Sequence, residues 1–174
     1  MNQIEAKPLS NVDIINKLNG KTNIVMYPDL ARVRKVEDIL VNDSVVILYE
    51  TRPNVGHWVC ILKREDTIEF FDSYGIFPDK EKKYINKEYL KESGQENNNL
   101  IRLLLEAGKR YRIEYNNYRL QVKSGDVATC GRHVISRILL KNLSIEQFNK
   151  FMRGFKQYGL TPDDVATIIS EYII

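Results

Sequence analysis

Cys130 stands between an irregular approach, Lys123-Ser124-Gly125-Asp126-Val127-Ala128-Thr129, and a stretch in which Val134, Ile135, Ile138 and Leu139 recur at helical spacing. It is therefore expected to open a buried helix, with Arg132, Ser136, Arg137 and Lys141 largely on the other side. A thiol is a weak nucleophile and a thiolate a strong one, and the unpaired N–H groups and dipole at a helix N-terminus favour the charged form. An imidazole within reach would take the thiol proton and later return one to a leaving amine, and a carboxylate would hold that ring in the right tautomer. His57, as base, and Asp72, as the residue that orients it, are the candidates. The backbone N–H of Cys130, with Gly131 leaving room beyond it, and the side-chain amide of Gln121 would supply the oxyanion donors.

The elements around these residues support the pairing. Residues 57–63 and 67–73 read as two strands joined through Arg64-Glu65-Asp66, a hairpin. Pairing Val59 with Phe70 and Ile61 with Ile68 collects four apolar side chains on one face and sets His57 opposite Asp72. The turn residues form no strong hairpin signature, so a register slip remains open. Ser10 with Asp13 caps a helix that Asn19-Gly20 ends, and residues 43–50 read as a buried strand. Residues 36–40 read as a helical turn, 100–109 as a helix, and 111–122 as containing a tyrosine-rich strand. Ser144 with Gln147 and Thr161 with Asp164 cap two closing helices. The charged run 79–92 reads as a solvated face, and the Ser93-Gly94-Gln95-Glu96-Asn97-Asn98-Asn99 loop as a surface segment prone to move.

Each residue has a competing reading. Cys60 is the other thiol, but it lies mid-strand among apolar neighbours on the face opposite His57 and reads as core. His133 is the other imidazole, with no carboxylate nearby in sequence, and is expected to pack or hydrogen-bond beside the cysteine helix. Trp58 fits the core or the wall of a substrate cleft, and Asp72 could cap the Ser73-Tyr74-Gly75 turn instead of serving a histidine. Tyr111, Tyr115 and Tyr118 fit sheet packing better than a stacking platform for bases.

The chain order His57-Trp58, Phe70-Phe71-Asp72-Ser73-Tyr74-Gly75, Gln121, Cys130-Gly131 resembles the adenovirus maturation protease, adenain, and the related SUMO-deconjugating proteases. Papain-like enzymes place the cysteine before the histidine. The resemblance runs from His57 to about Leu140, and the wording from Phe71 to Pro78 with Thr129-Cys130-Gly131-Arg132-His133 is nearest to adenain-like proteases of virophages, polinton-type elements and large DNA viruses. It implies an α+β fold, with a central mixed sheet against the cysteine-bearing helix. It also implies cleavage after small residues at Gly-Gly or Gly-Ala type sites, the roles given above for His57, Asp72, Gln121 and Cys130, and a task in processing capsid or scaffold precursors. Two departures stand out: Thr129 occupies a position that is acidic in many relatives, with Asp126 further back, and Gln121 lies nine residues before Cys130, a wider gap than usual.

The 174 residues, 43% apolar and 28% charged, suit one protease domain over the whole chain. Apolar runs reach only about five residues and the start lacks a basic, apolar leader, so a soluble intracellular protein with no membrane partner is expected, and the resemblance implies the virion and the host-cell interior as its place. Two cysteines suit a reducing compartment. The net charge of +3 gives weak support to DNA association. No cofactor and no metal are expected, the partner is a protein substrate, and a monomer is expected. The alternatives are a deconjugase for a ubiquitin-like modifier, for which 174 residues leave little room for a gripping surface, and an inert capsid- or DNA-binding protein on the same scaffold. An acetyltransferase with a similar triad lacks any coenzyme-binding motif here.

Overall fold

The computed structural model describes residues 2–125 and 127–173. Asp126, noted above as the acidic residue nearest the cysteine on its N-terminal side, lies outside them. In chain order the elements are α1 (Asn2–Glu5), α2 (Asn11–Lys17), β1 (Asn23–Met26), β2 (Ser44–Arg52), β3 (Val55–Arg64), β4 (Thr67–Phe71), α3 (Lys87–Glu92), α4 (Asn99–Ala107), β5 (Arg112–Tyr115), α5 (Cys130–Leu139), α6 (Ile145–Arg153) and α7 (Pro162–Tyr172). The five strands lie in one sheet in chain order. The outer pairs β1–β2 and β4–β5 are parallel and the inner pairs antiparallel, so the protein is α+β with a central mixed sheet.

Both faces of this sheet are covered, because the alternate side chains of β2 and β3 are apolar on either side. Val46, Leu48, Trp58, Cys60 and Leu62 pack with Val134, Ile135 and Ile138 of α5, Phe148 of α6 and Ile169 of α7. Val45, Ile47, Tyr49, Val59 and Ile61 pack on the other side with Leu100, Leu103 and Leu104 of α4. The capping boxes expected at Ser10/Asp13, Ser144/Gln147 and Thr161/Asp164 are all present.

Three expectations need correction. The β3–β4 hairpin turns at Glu65-Asp66, with Glu65 in the left-handed region (φ +48°), so Ile61 faces Phe70 and Lys63 faces Ile68, two positions from the expected register. A shift of two keeps every side chain on its expected face, and the faces were right. The α5 helix, by contrast, is the buried helix expected, and Arg132, Ser136 and Arg137 on its other side are as buried as Val134 and Ile135. The run 79–92 is not a solvated face throughout, because Asp79, Glu81 and Lys82 are buried, with the Lys82 Nζ donating to the carbonyls of Glu96 and Asn97 and to Asn98 Oδ1. The loop after α3 is anchored by buried Gln95, whose amide accepts from the Glu50 N–H (3.0 Å) and donates to the Glu50 carbonyl (2.9 Å) as a further strand would.

Candidate active site

The segments that converge here are the start of β3, the residue just past β4 and the first turn of α5. Gly56 delivers the chain to His57 through a close approach: a Cβ there would fall 1.7 Å from the Tyr49 carbonyl oxygen, so only glycine fits. The neighbouring irregularity between Glu50 and Arg52 is the β-bulge at which the strand pair changes register.

His57 Nε2 lies 2.9 Å from Asp72 Oδ1, both buried. Asp72 meets both of its competing readings at once. The same Oδ1 accepts from the Tyr74 N–H (2.8 Å) and the Asp72 carbonyl accepts from the Gly75 N–H (2.9 Å), so the carboxylate caps the turn while facing the ring. Asn116 Nδ2 donates to the Asp72 carbonyl (2.6 Å) and to that of Tyr118 (2.9 Å), fixing this turn to the segment after β5. Tyr74 stacks on the imidazole, with centroids 4.7 Å apart and planes at 16°. With Nε2 committed to Asp72, the other ring nitrogen is the one free to serve Cys130.

Electrostatics couple the two reacting groups. Burial pushes the Cys130 thiol up, but hydrogen bonding to His57, the charge of that ring and the backbone N–H groups of Trp58 and Gly131 outweigh it, and the net shift is down. Burial pushes His57 down, but the charge and hydrogen bond of Asp72 and those of Cys130 outweigh it, and the ring titrates well above the usual histidine range. The pair titrates as a unit whose intermediate form is thiolate beside imidazolium. Lowering the pH protonates the sulfur, and raising it strips the ring of its acidic proton. Any reaction needing the ion pair should therefore hold its rate down to lower pH than a free thiol allows, and up to higher pH than a free histidine allows. A pH–rate profile of kcat/KM checks this, and His57→Ala should move its acid limb upward.

Gln121 is buried at the site, its Oε1 accepting from the Ser73 hydroxyl at 2.7 Å and its backbone N–H donating to the Ser73 carbonyl at 3.0 Å. With Oε1 occupied, the amide NH2 is the end left to face the cleft that Gln121 helps to line. That cleft, about 520 Å3, is bounded by His57, Cys130, Gln121, Trp58, Tyr74 and Glu81 among others. Trp58 is thus both core and wall, its indole N–H donating to the Leu9 carbonyl at 2.9 Å. Gly131 is buried, and a Cβ there would meet Leu9 Cβ at 3.2 Å and Trp58 Cδ1 at 3.3 Å, so it allows α5 to approach the indole closely.

The two rivals separate clearly. Cys60 lies in the core between sheet and α5, where burial pushes its thiol far up. His133 is fully buried and hydrogen-bonds beside the cysteine helix, as expected: its Nε2 lies 2.9 Å from Asp163 Oδ1, a carboxylate 30 residues on in sequence. Sequence reasoning also missed Tyr74 as the stacking partner of His57, and Glu81. The latter is only 7% exposed and lines the cleft, where burial pushes its carboxyl up against the opposing pull of His57. Aspartate-Ser-Tyr was visible as a turn, but nothing in the charged run singled out Glu81.

No family model matches the chain. Uncharacterized protein V9 of the Sputnik virophage is 40% identical to it over 169 residues, which is 95% of each protein. The chain belongs to the V9 family. Among solved structures, the ASFV pS273R protease is similar to this V9-family chain with a TM-score of 0.49 and 17% identity, over 95% of this chain and 67% of that one. Its selenomethionine form gives a TM-score of 0.47 and 16% identity over the same shares. Among the described residues of this V9-family member, no helix is long and apolar enough to cross a membrane, and no group of three or more His, Cys, Asp or Glu could hold a metal ion.

Proposed function

We propose that this V9-family protein is a cysteine endopeptidase in which Cys130 attacks the peptide carbonyl, His57 moves the proton and Asp72 orients His57. The single observation that carries this reading is the convergence on one cleft of Cys130 at the head of α5 and of His57, whose ring nitrogen lies 2.9 Å from the buried Asp72 carboxylate. In the first step the Cys130 sulfur bonds to the carbonyl carbon and the oxygen becomes an oxyanion. The His57 proton then passes to the leaving amine, and water hydrolyses the thioester with His57 again as base.

The oxyanion is received by the Cys130 backbone N–H and the Gln121 amide NH2. Gln121→Ala should lower kcat by roughly 10^2- to 10^3-fold with little change in KM, the behaviour of a donor used mainly in the transition state. Steady-state cleavage of a fluorogenic peptide with Gly-Gly or Gly-Ala before the scissile bond checks it. That choice of site, the adenain-like family and the processing of capsid or scaffold precursors rest on the sequence resemblance. The V9 relative, a virophage protein, supports a viral setting. A monomer acting on protein substrates inside the infected cell, with no more than weak DNA association, completes the reading.

The deciding experiment is incubation of the protein with co-encoded capsid precursors and, separately, with ubiquitin-like fusions, wild type beside Cys130→Ala. Precursor cleavage lost in the variant supports the proposal. Cleavage of the fusions alone would redirect it to a deconjugase, and cleavage of neither would overturn it.

A further inference from the structure

The oxyanion site just proposed has one donor on each side of a nine-residue interval, and something must hold the two sides in register. Asp163, the second residue of α7 and 3% exposed, touches both. Its Oδ2 accepts from the N–H of Val122, the residue after Gln121, at 2.9 Å. Its Oδ1 accepts from the hydroxyl of Thr129, the residue before Cys130, and from His133 Nε2 at 2.9 Å, one turn into α5. Thr129 stands at the N-cap position of α5, yet its side chain makes no cap hydrogen bond because it is turned to Asp163. Burial pushes the Asp163 carboxyl up, but His133, Thr129 and the Val122 N–H outweigh it and hold it below the usual carboxylate range, as an acceptor of three donors should be. From the other side, the Ala128 N–H donates to the Glu5 carbonyl at 2.8 Å.

We propose that Asp163 is a positioning residue that locks the Gln121 and Cys130 backbones at the spacing the oxyanion requires, with Thr129 and His133 as its arms. It rests on the endopeptidase reading and extends it to a carboxylate that touches neither the substrate nor the Cys130, His57 and Asp72 side chains. The clamp also gives Thr129 and His133 a use, since both donate to a carboxylate reached from α7. Donors that serve an oxyanion act over a few tenths of an ångström, and misplacement by about 1 Å can cost on the order of 10^2-fold.

The test compares wild type, Asp163→Ala, Asp163→Asn and Thr129→Val in two assays. The first is kcat and KM on the fluorogenic Gly-Gly peptide. The second is the pH dependence of Cys130 alkylation by iodoacetamide, which needs the thiolate and no oxyanion donor. Asp163→Ala should lower kcat by about 10- to 100-fold with KM nearly unchanged, while the alkylation rate and its midpoint stay at the wild-type values. Asp163→Asn keeps an acceptor oxygen and should recover part of the loss, and Thr129→Val, a milder change that removes one arm, should lower kcat by several-fold at most. Wild-type kcat in folded Asp163→Ala overturns the inference. So does a parallel fall of kcat and alkylation in both Asp163→Ala and Thr129→Val, which would mean a purely structural role. A wild type that alkylates normally but cleaves no peptide overturns the endopeptidase reading and this inference with it, an outcome distinct from the first two.

Discussion

Cys130→Ala is expected to lower peptidase activity by at least about 10^4-fold while leaving the fold intact, and His57→Ala by a comparable factor. The side chains act as a unit, so the double variant should be scarcely worse than either single one. Cys130 is small and sits at a helix start, where alanine is tolerated, and its replacement removes a sulfur that burial would otherwise penalise in its charged form. Cys60→Ala should retain activity, because the Cys60 thiol is held far from ionisation inside the core and lies on the sheet face away from His57. Its cost is a small cavity and not a lost nucleophile. Asp72→Ala should fall between these, by about 10^2- to 10^4-fold, since the ring loses both its orienting partner and the charge that raises its proton affinity. Active-site titration beside far-UV circular dichroism separates loss of chemistry from loss of structure.

The largest stability effect should come from the other end of the same helix. Arg137, in the last turn of α5, donates from Nε to Glu69 Oε1 (2.7 Å) and from Nη2 to Glu69 Oε2 (2.7 Å), with further bonds from Nη1 to the Leu140 carbonyl and from Nη2 to the Leu143 carbonyl. Both side chains are wholly buried, and the Phe148 ring lies 5.0 Å from the guanidinium. Removing one partner strands a charge in a place water does not reach. Glu69→Ala should therefore destabilise the protein by about 3 to 5 kcal/mol in urea unfolding. Replacing both, as Glu69→Leu with Arg137→Met, should cost less, because no wholly buried charge remains and the partly exposed Arg64, which also donates to Glu69 Oε2 at 3.0 Å, keeps Glu114 as a partner. Stability of Glu69→Ala close to wild type would show that the pair does not tie α5 to β4 as the geometry indicates.

The sequence exposes the parts of this molecule that repeat or cap. The apolar alternation of β3 and β4 assigned both faces correctly, yet the register moved by two because the turn settled on Glu65-Asp66, and no Asn-Gly or Asp-Gly signal pinned it. His57 and Asp72 still meet, since an imidazole spans the offset and Asp72 lies just past the strand end. The helix at Cys130 was visible from Val134, Ile135 and Ile138, but what its polar positions bind was not. Their partners come from distant elements: Glu69 on β4 for Arg137, the Lys7 carbonyl for Arg132 and Asp163 on α7 for His133. Long-range partners of this kind have no period to announce them. The β1 strand escaped for a different reason, being four residues long and lacking alternation in burial. Gln95, buried inside a polar loop, escaped because its hydrogen bonds go to a backbone 45 residues away.

The central claim is that His57 holds Cys130 as a thiolate, and titrating that one sulfur tests it most directly. In a Cys60→Ala background, the iodoacetamide alkylation rate of Cys130 measured across pH should give a midpoint below that of a free thiol, and His57→Ala should return it upward. A sulfur that titrates like a free cysteine in both proteins would contradict the account.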